Sequence, residues 1–282
     1  MAKPFLCKVG IAQISANPAY ADELVSTIQE PVFPGKTEKV GLFSIAGLEE
    51  VNALRQRISE QYISHLNRKL EAFIRFGAAR GVELLVFPEY SVPPESLPTC
   101  RSLCNELGVA IIAGTHVVTV NPVALQIYES IQLFPEKSPD VAALDRQVRQ
   151  AVCVVFLPGQ KPVTFAKYVR SKWESCLIPG RPALHSFEMA TKAGQIEVQV
   201  LICIEALAGG TPTKEKHSHP RLIAIPAFTP TCEDFHNFGK LNLPQGKCTL
   251  FANVAEFGGS RAFARAENAN LWLTQADVLL ST

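Results

Sequence analysis

Nine runs of apolar residues recur along the chain with turn-forming residues between them. They are "KVGIAQIS" (8–15), "VELLVFPEYS" (82–91), "GVAIIAGTHVV" (108–118), "QAVCVVFLPG" (150–159), "PVTFAKYV" (162–169), "LHSFEMAT" (184–191), "IEVQVLICIEA" (196–206), "PRLIAIPAF" (220–228) and "KCTLFANVAEF" (247–257). Their length and their content of Val, Ile and Phe read as strands. Several are continuous rather than alternating, as expected of strands covered on both faces. A different period appears between the first two. Leu54, Ile58, Tyr62, Leu66, Leu70, Phe73 and Phe76 recur at spacings of three or four, with charged and amide residues on the other face. This predicts a helix over about 48–80, stopped at Gly81. "PESLPTCRSLCNELG" predicts a second helix ending at Gly108, "SPDVAALDRQVRQ" (138–150) a third and "CEDFHNFGKL" (232–241) a short fourth. Strand–helix–strand–helix–strand followed by a run of strands argues for a mixed α/β sandwich. Residues 29–47 and 119–148 read as insertions, with surface decoration the plainer use and a lid or partner surface the functional one.

Composition narrows the class. With 282 residues, 47% hydrophobic and 19% charged, the chain can bury a substantial core. The formal net charge of +1 exerts no global attraction for nucleic acid or anionic lipid. The basic–aromatic stretch "KYVRSKW" fits the mouth of a site better than a nucleic-acid surface. No apolar run reaches the roughly 18 residues of a membrane helix. The opening "MAKPFLCKVGIAQIS" is too short and interrupted for a signal peptide. The eight cysteines are scattered without a CxxC pair. They read as reduced thiols of a cytoplasmic protein. Cys100 and Cys104, one helical turn apart, are two ligands at most, short of a closed zinc site.

Three residues stand at the ends of apolar runs. Glu89 closes "LLVFPE", where the core behind it raises a carboxylate toward the range of a useful base; the plain alternative is an exposed turn acid. Lys167 follows "VTFA", where an ammonium directed into a cleft can hold an oxyanion; the alternative is an edge lysine reaching water. Cys203 closes "VLIC", either as a nucleophile awaiting a base or as core filler. None of the six histidines has a context that suggests a Cys–His pair.

Taken together, and in this order, these segments resemble the nitrilase, or carbon–nitrogen hydrolase, superfamily. "VFPEYS" resembles its Glu motif, "FAKY" its aromatic-x-Lys motif and "LICIEALAG" its Cys motif. The spacings of 78 residues from Glu89 to Lys167 and 36 from Lys167 to Cys203 suit the family. "VGIAQIS" resembles its first strand, "AIPAF" the strand after the nucleophile, and "LFANVAEFGGS" its late segment, through Asn253, Gly258 and Ser260. The resemblance covers about residues 8–261. Val169 departs from the His often found two places after the Lys, Ile204 from the aromatic residue common after the Cys, and "NLPQGKCTLFAN" from the usual helix segment before the late strand.

The resemblance implies one nitrilase-like domain over 1–282, an α/β (α+β) protein built as a four-layer α-β-β-α sandwich. It implies catalysis by Glu89, Lys167 and Cys203, supported by Glu174 or Glu205, with no metal and no organic cofactor. Glu205 reads further as an anchor of the turn after Cys203. The expected activity is cysteine-dependent hydrolysis of a non-peptide C–N bond in a small amide or nitrile, through a thioester. Acyl transfer to an amine uses the same residues, and a non-catalytic interaction module is the rival from another class. Family members pair through their outer helices, so a homo-oligomer is expected. They also continue into one or two closing strands where this chain stops soon after Ser260. That is compatible with a domain cut from, or associated with, a larger, defence-related bacterial protein.

Overall fold

The computed structural model describes residues 7–12, 14, 60–115, 118–119, 149–171, 179–180, 184–192, 194–208, 222–255 and 257–264. Two five-stranded sheets form its centre. In the first, β1 (Val9–Ile11), β2 (Leu84–Val86) and β3 (Ala110–Gly114) run parallel. A separate two-stranded pair comes next in the chain, β4 (Val118–Thr119) with β5 (Arg149–Gln150). Then β6 (Val152–Phe156) and β7 (Val163–Ala166) continue the first sheet antiparallel, in the order β1-β2-β3-β6-β7. The second sheet contains β8 (Ser186–Thr191), β9 (Gly194–Val200), β10 (Leu222–Ala227), β11 (Cys248–Asn253) and β12 (Arg261–Phe263). There β10 lies parallel between β9 and β11, and the edge strands β8 and β12 are antiparallel to their neighbours.

The period of two along each strand sorts its residues between layers. Leu84, Val86, Ile112 and Val155 of the first sheet meet Val198, Val200, Leu222 and Leu250 of the second in the middle of the molecule. The alternate residues Leu85, Phe87, Ile111 and Phe156 face α1 (Glu60–Ala79) and α2 (Leu97–Leu107). On the far side, Ile223, Ile225 and Phe251 pack against Phe235 of α3 (Glu233–Asn242). Layers therefore follow as helix, sheet, sheet, helix: the expected four-layer α-β-β-α sandwich. Both faces of each sheet are covered, which is why its strands read as continuous apolar runs.

The helix ends follow their sequences. α1 buries Leu66, Leu70, Phe73 and Ile74 and breaks at Gly81, whose φ is +73°. Val82 N returns to Gly77 O at 2.9 Å and Gly81 N to Ala78 O at 2.8 Å, closing the last turn. α2 ends at Gly108 in the left-handed region (φ +69°), and its Cys100 and Cys104 are core residues against the first sheet. Arg75 of α1 bridges Glu71 and Glu106, tying the two helices on their exposed side.

Three expectations change. Arg149–Gln150, the end of the helix predicted over 138–150, form β5 instead, paired antiparallel with β4. They adjoin the strand "VCVVF", and pairing with β4 prevails at the end of a helical pattern that carries no glycine stop there. The run 196–206 is not a strand throughout: β9 stops at Val200, and Cys203–Ala206 make a single 3-10 turn. β12 is additional to the nine runs, its three residues being too few for a periodic signal. Residues 48–59 of the first helix, the insertion 29–47 and positions 120–148 lie outside the described residues.

Candidate functional site

Glu89 lies three residues beyond β2. The backbone there is fixed by Phe87 N donating to Ile112 O (2.8 Å) and by Ser91 N and Val92 N donating to Gly114 O (3.1 and 3.0 Å). Ser91 Oγ donates to Pro88 O at 2.7 Å. This turn presses on the end of β3: a Cβ added at Gly114 would stand 2.1 Å from Pro88 O and 2.6 Å from Glu89 Cα. Only glycine allows the two segments so close.

Lys167 is the first residue past β7 and is held by its own backbone, with its N–H on Ala151 O (2.8 Å) and its carbonyl accepting from Gly180 N (2.7 Å). Gly180 repeats the device, since a Cβ there would meet Ala166 O at 2.7 Å. Both side chains turn inward. Lys167 Nζ donates to Glu89 Oε1 at 2.8 Å, with the two side chains 2% and 3% exposed. Removing either partner takes the nearest opposite charge from a buried group, a change that is usually strongly destabilising.

Cys203 stands where the apolar run of β9 breaks. Its φ is +50°, and Tyr90, the residue after Glu89, has φ +59°. They are the non-glycine residues with positive φ among the described residues. The left-handed region costs a side-chain-bearing residue about 1–2 kcal/mol, and such strain gathers where a site needs a side chain aimed in one direction. Cys203 Sγ lies 4.0 Å from Phe228 O at the end of β10.

Glu205, two residues on, joins this turn to the end of β7. Its Oε2 accepts from Ile202 N at 2.8 Å, half of a capping box for the 3-10 turn, and its Oε1 accepts from Tyr168 N at 2.6 Å. The expected turn anchor is thus also a clamp between the Cys203 turn and the residue beside Lys167. Burial is the main cause raising its carboxyl to about 7, opposed by the amides of Ile202 and Tyr168 and by the Lys167 charge. Burial likewise pushes His185 down to about 4. That ring stacks on Phe165 at 4.9 Å, meets Tyr168 edge-on and places Nδ1 3.9 Å from Glu205 Oε2. His185 Nδ1 and Tyr168 Oη are buried without a hydrogen-bond partner.

Two further links connect the surroundings of Cys203 with those of the ion pair. The Tyr90 ring meets the Phe228 ring, centroids 6.0 Å apart, and Phe228 carries the carbonyl beside the sulfur. Glu89 and Glu205 both act on the same buried thiol, Cys153 of β6, whose pKa is raised by desolvation first and by the two carboxylates after it. Glu89 and Lys167 are thus in direct contact, and the Cys203 turn adjoins them through Glu205 and Phe228. Glu174, the other expected supporting carboxylate, lies outside the described residues.

The late segment gives the corner its frame. Asn253 Oδ1 accepts from Thr229 N at 3.0 Å, and Nδ2 donates to Thr229 O and Gly258 O, each at 2.8 Å. Asn253 N donates to Ser260 Oγ at 2.9 Å. Sequence reasoning missed His185, Tyr90, Phe228 and Phe257. Tyr90 and Phe228 adjoin recognisable motifs, whereas nothing in the local pattern around His185 marks it. Among the described residues no group of three or more His, Cys, Asp or Glu side chains is arranged to hold a metal ion. Nor is any helix there long and apolar enough to cross a membrane.

No protein-family model matches the chain, and no curated protein sequence does. Similar solved structures include a cysteine-to-serine mutant of the Nesterenkonia AN1 amidase from the nitrilase superfamily. It is 14% identical with a TM-score of 0.48, over 72% of this chain and 79% of that one. A second form of that amidase, carrying acrylamide added at its active-site cysteine, is 13% identical with a TM-score of 0.47, over 72% and 80%. The glutamine-dependent NAD+ synthetase of Acinetobacter baumannii is 14% identical with a TM-score of 0.49, over 73% of this chain and 39% of that one.

Proposed function

We propose that the protein hydrolyses a non-peptide C–N bond of a small amide through a thioester on Cys203. The observation that carries this reading is the buried Glu89–Lys167 contact of 2.8 Å at the corner where Cys203 adopts its left-handed conformation. A stacked sandwich needs no inward-turned acid and base at adjoining strand ends, and burying such a pair costs desolvation that the ion pair only partly offsets, so its retention supports a functional reading.

The reaction follows from the chemistry of the groups. Glu89 takes the thiol proton, and the thiolate attacks the amide carbonyl carbon, forming a C–S bond. Lys167 and the Ile204 N–H hold the charge that develops on the carbonyl oxygen. Glu89 returns the proton to the nitrogen as the C–N bond breaks, and the amine leaves. Water then attacks the thioester, losing a proton to Glu89. The C–S bond breaks, the acid departs and the proton returns to sulfur. Amide and water become acid and amine, with no electrons exchanged. Glu205 positions the Cys203 turn and the Tyr168 amide and takes no proton from substrate.

Cys203→Ser and Cys203→Ala are the test. Each is expected to abolish amide hydrolysis and the acyl adduct that mass spectrometry detects on the wild-type enzyme at short times. Full hydrolysis by the alanine variant would overturn the assignment.

A further inference from the structure

The Cys203 corner has a wall that takes no part in the proton and acyl transfers. Tyr90 follows Glu89 directly, and its ring meets Phe228 edge-on at 6.0 Å. Phe228 meets Phe257 edge-on at 5.1 Å. The three rings come from three segments: the turn after β2, the residue after β10 and the loop after β11. The row begins at Tyr90, the residue after Glu89, and continues at Phe228, whose backbone carbonyl lies 4.0 Å from the Cys203 sulfur. It ends at Phe257, whose side chain is 41% exposed.

The row is braced from behind. Asn253 grips both Thr229, next to Phe228, and Gly258, next to Phe257, through three of its side-chain hydrogen bonds. Rings fixed in this way lose little freedom when a ligand arrives, which favours binding. An exposed phenylalanine continuous with half-buried aromatic rings at a reactive thiol is an apolar ligand surface; solvent alone would favour a polar residue there. Edges and faces of a T-shaped row suit another ring, which packs against them in the same offset or edge-on geometry.

We propose that Tyr90, Phe228 and Phe257 form the acyl pocket, and that the substrate is an amide whose acyl group carries an aryl ring. This rests on the amide-hydrolase reading and names its substrate class. The wall acts on the acyl side because the amine leaves with the proton of Glu89, whereas the acyl group stays bonded to sulfur, beside Phe228, through both halves of the reaction.

The test compares acetamide with phenylacetamide and 3-phenylpropanamide, all releasing ammonia. The aryl amides are expected to have kcat/KM at least about ten-fold above acetamide, the scale of discrimination that an apolar pocket supplies. Phe257→Ala should lose about ten-fold more on phenylacetamide than on acetamide, chiefly in KM, and Phe257→Leu should fall between. Acetamide turned over as well as the aryl amides, or equal losses on both in Phe257→Ala, overturns the aryl pocket and leaves amide hydrolysis standing. No hydrolysis across the series, with no acyl adduct on Cys203, overturns both.

Discussion

Cys203 differs from the other thiols in its backbone and its partners rather than in burial, since it too packs in a core cluster. Cys7, Cys100 and Cys104 lie in packed core, where desolvation pushes each thiol up to about 12. Cys232 is more open and is also raised by burial. A thiol labelled at neutral pH needs a base and an approach, not exposure alone. Iodoacetamide at pH 7 is therefore expected to modify Cys203 before Cys232 and the core thiols. Glu89→Gln should slow that modification at least about ten-fold, a modest share of what a positioned base contributes; peptide mapping over time reads both. Equal labelling of Cys203 and Cys232 would remove the case for an activated thiol. Glu205 makes a different prediction. Its two oxygens accept from the Ile202 and Tyr168 amides, with the Val169 amide also acting on the carboxylate, and a glutamine offers one oxygen. Glu205→Gln leaves an amide unpaired in the interior, at a cost of about 1–3 kcal/mol. It should lower Tm and reduce kcat with little change in KM, because what loosens is the turn that carries Cys203.

At the scale of elements, the site is set by how closely strand ends approach one another. Gly114 and Gly180 stand where any Cβ would collide with the backbone around Glu89 and beside Lys167. Gly114→Ala should move the Pro88–Glu89 turn away from β3, lowering kcat at least about ten-fold because displacement of a reacting group by about an ångström has effects of that size or larger. Circular dichroism should report an intact sandwich. Wild-type activity in that variant would show that the turn relaxes freely. The sheets are legible in the sequence because burial on both faces writes continuous apolar runs, as in "LLVF" and "LIAIPA". The strand-end positions of Glu89 and Lys167 follow from the same runs. The aromatic row, the reach of Glu205 to Tyr168 and the stacking of His185 are not legible, because each joins residues from separate segments. Nor does an apolar run record where φ turns positive, so the end of β9 is misjudged by several residues.

For the molecule as a whole, the buried Glu205–His185 neighbourhood shapes stability against pH. Glu205 is raised from 4.5 to about 7. Between those values the folded protein keeps a proton that the unfolded chain has lost, so stability falls as pH rises. His185 is lowered from 6.5 to about 4. Between those values the unfolded chain holds a proton that the folded protein refuses, so stability falls as pH falls. The two slopes oppose each other from 4.5 to 6.5. Relative to wild type, His185→Phe, which keeps a ring on Phe165, should gain most at the acid end of that window. Glu205→Gln should lose least at the neutral end, above its fixed structural cost. Thermal melts from about pH 4 to about pH 7.5 check both signs. The left-handed backbone at Cys203 has a consequence for substitution across the whole chain. Glycine is the residue that conformation suits, and Cys203→Gly should be more stable than Cys203→Ala by about 1 kcal/mol. A scaffold that used this turn only to connect β9 to β10 would gain backbone relief from glycine, set against the packing of the buried thiol among Leu201, Ile223 and Phe251. On backbone grounds the thiol at position 203 is the less favoured choice, and the proposed role as nucleophile supplies a reason to keep it.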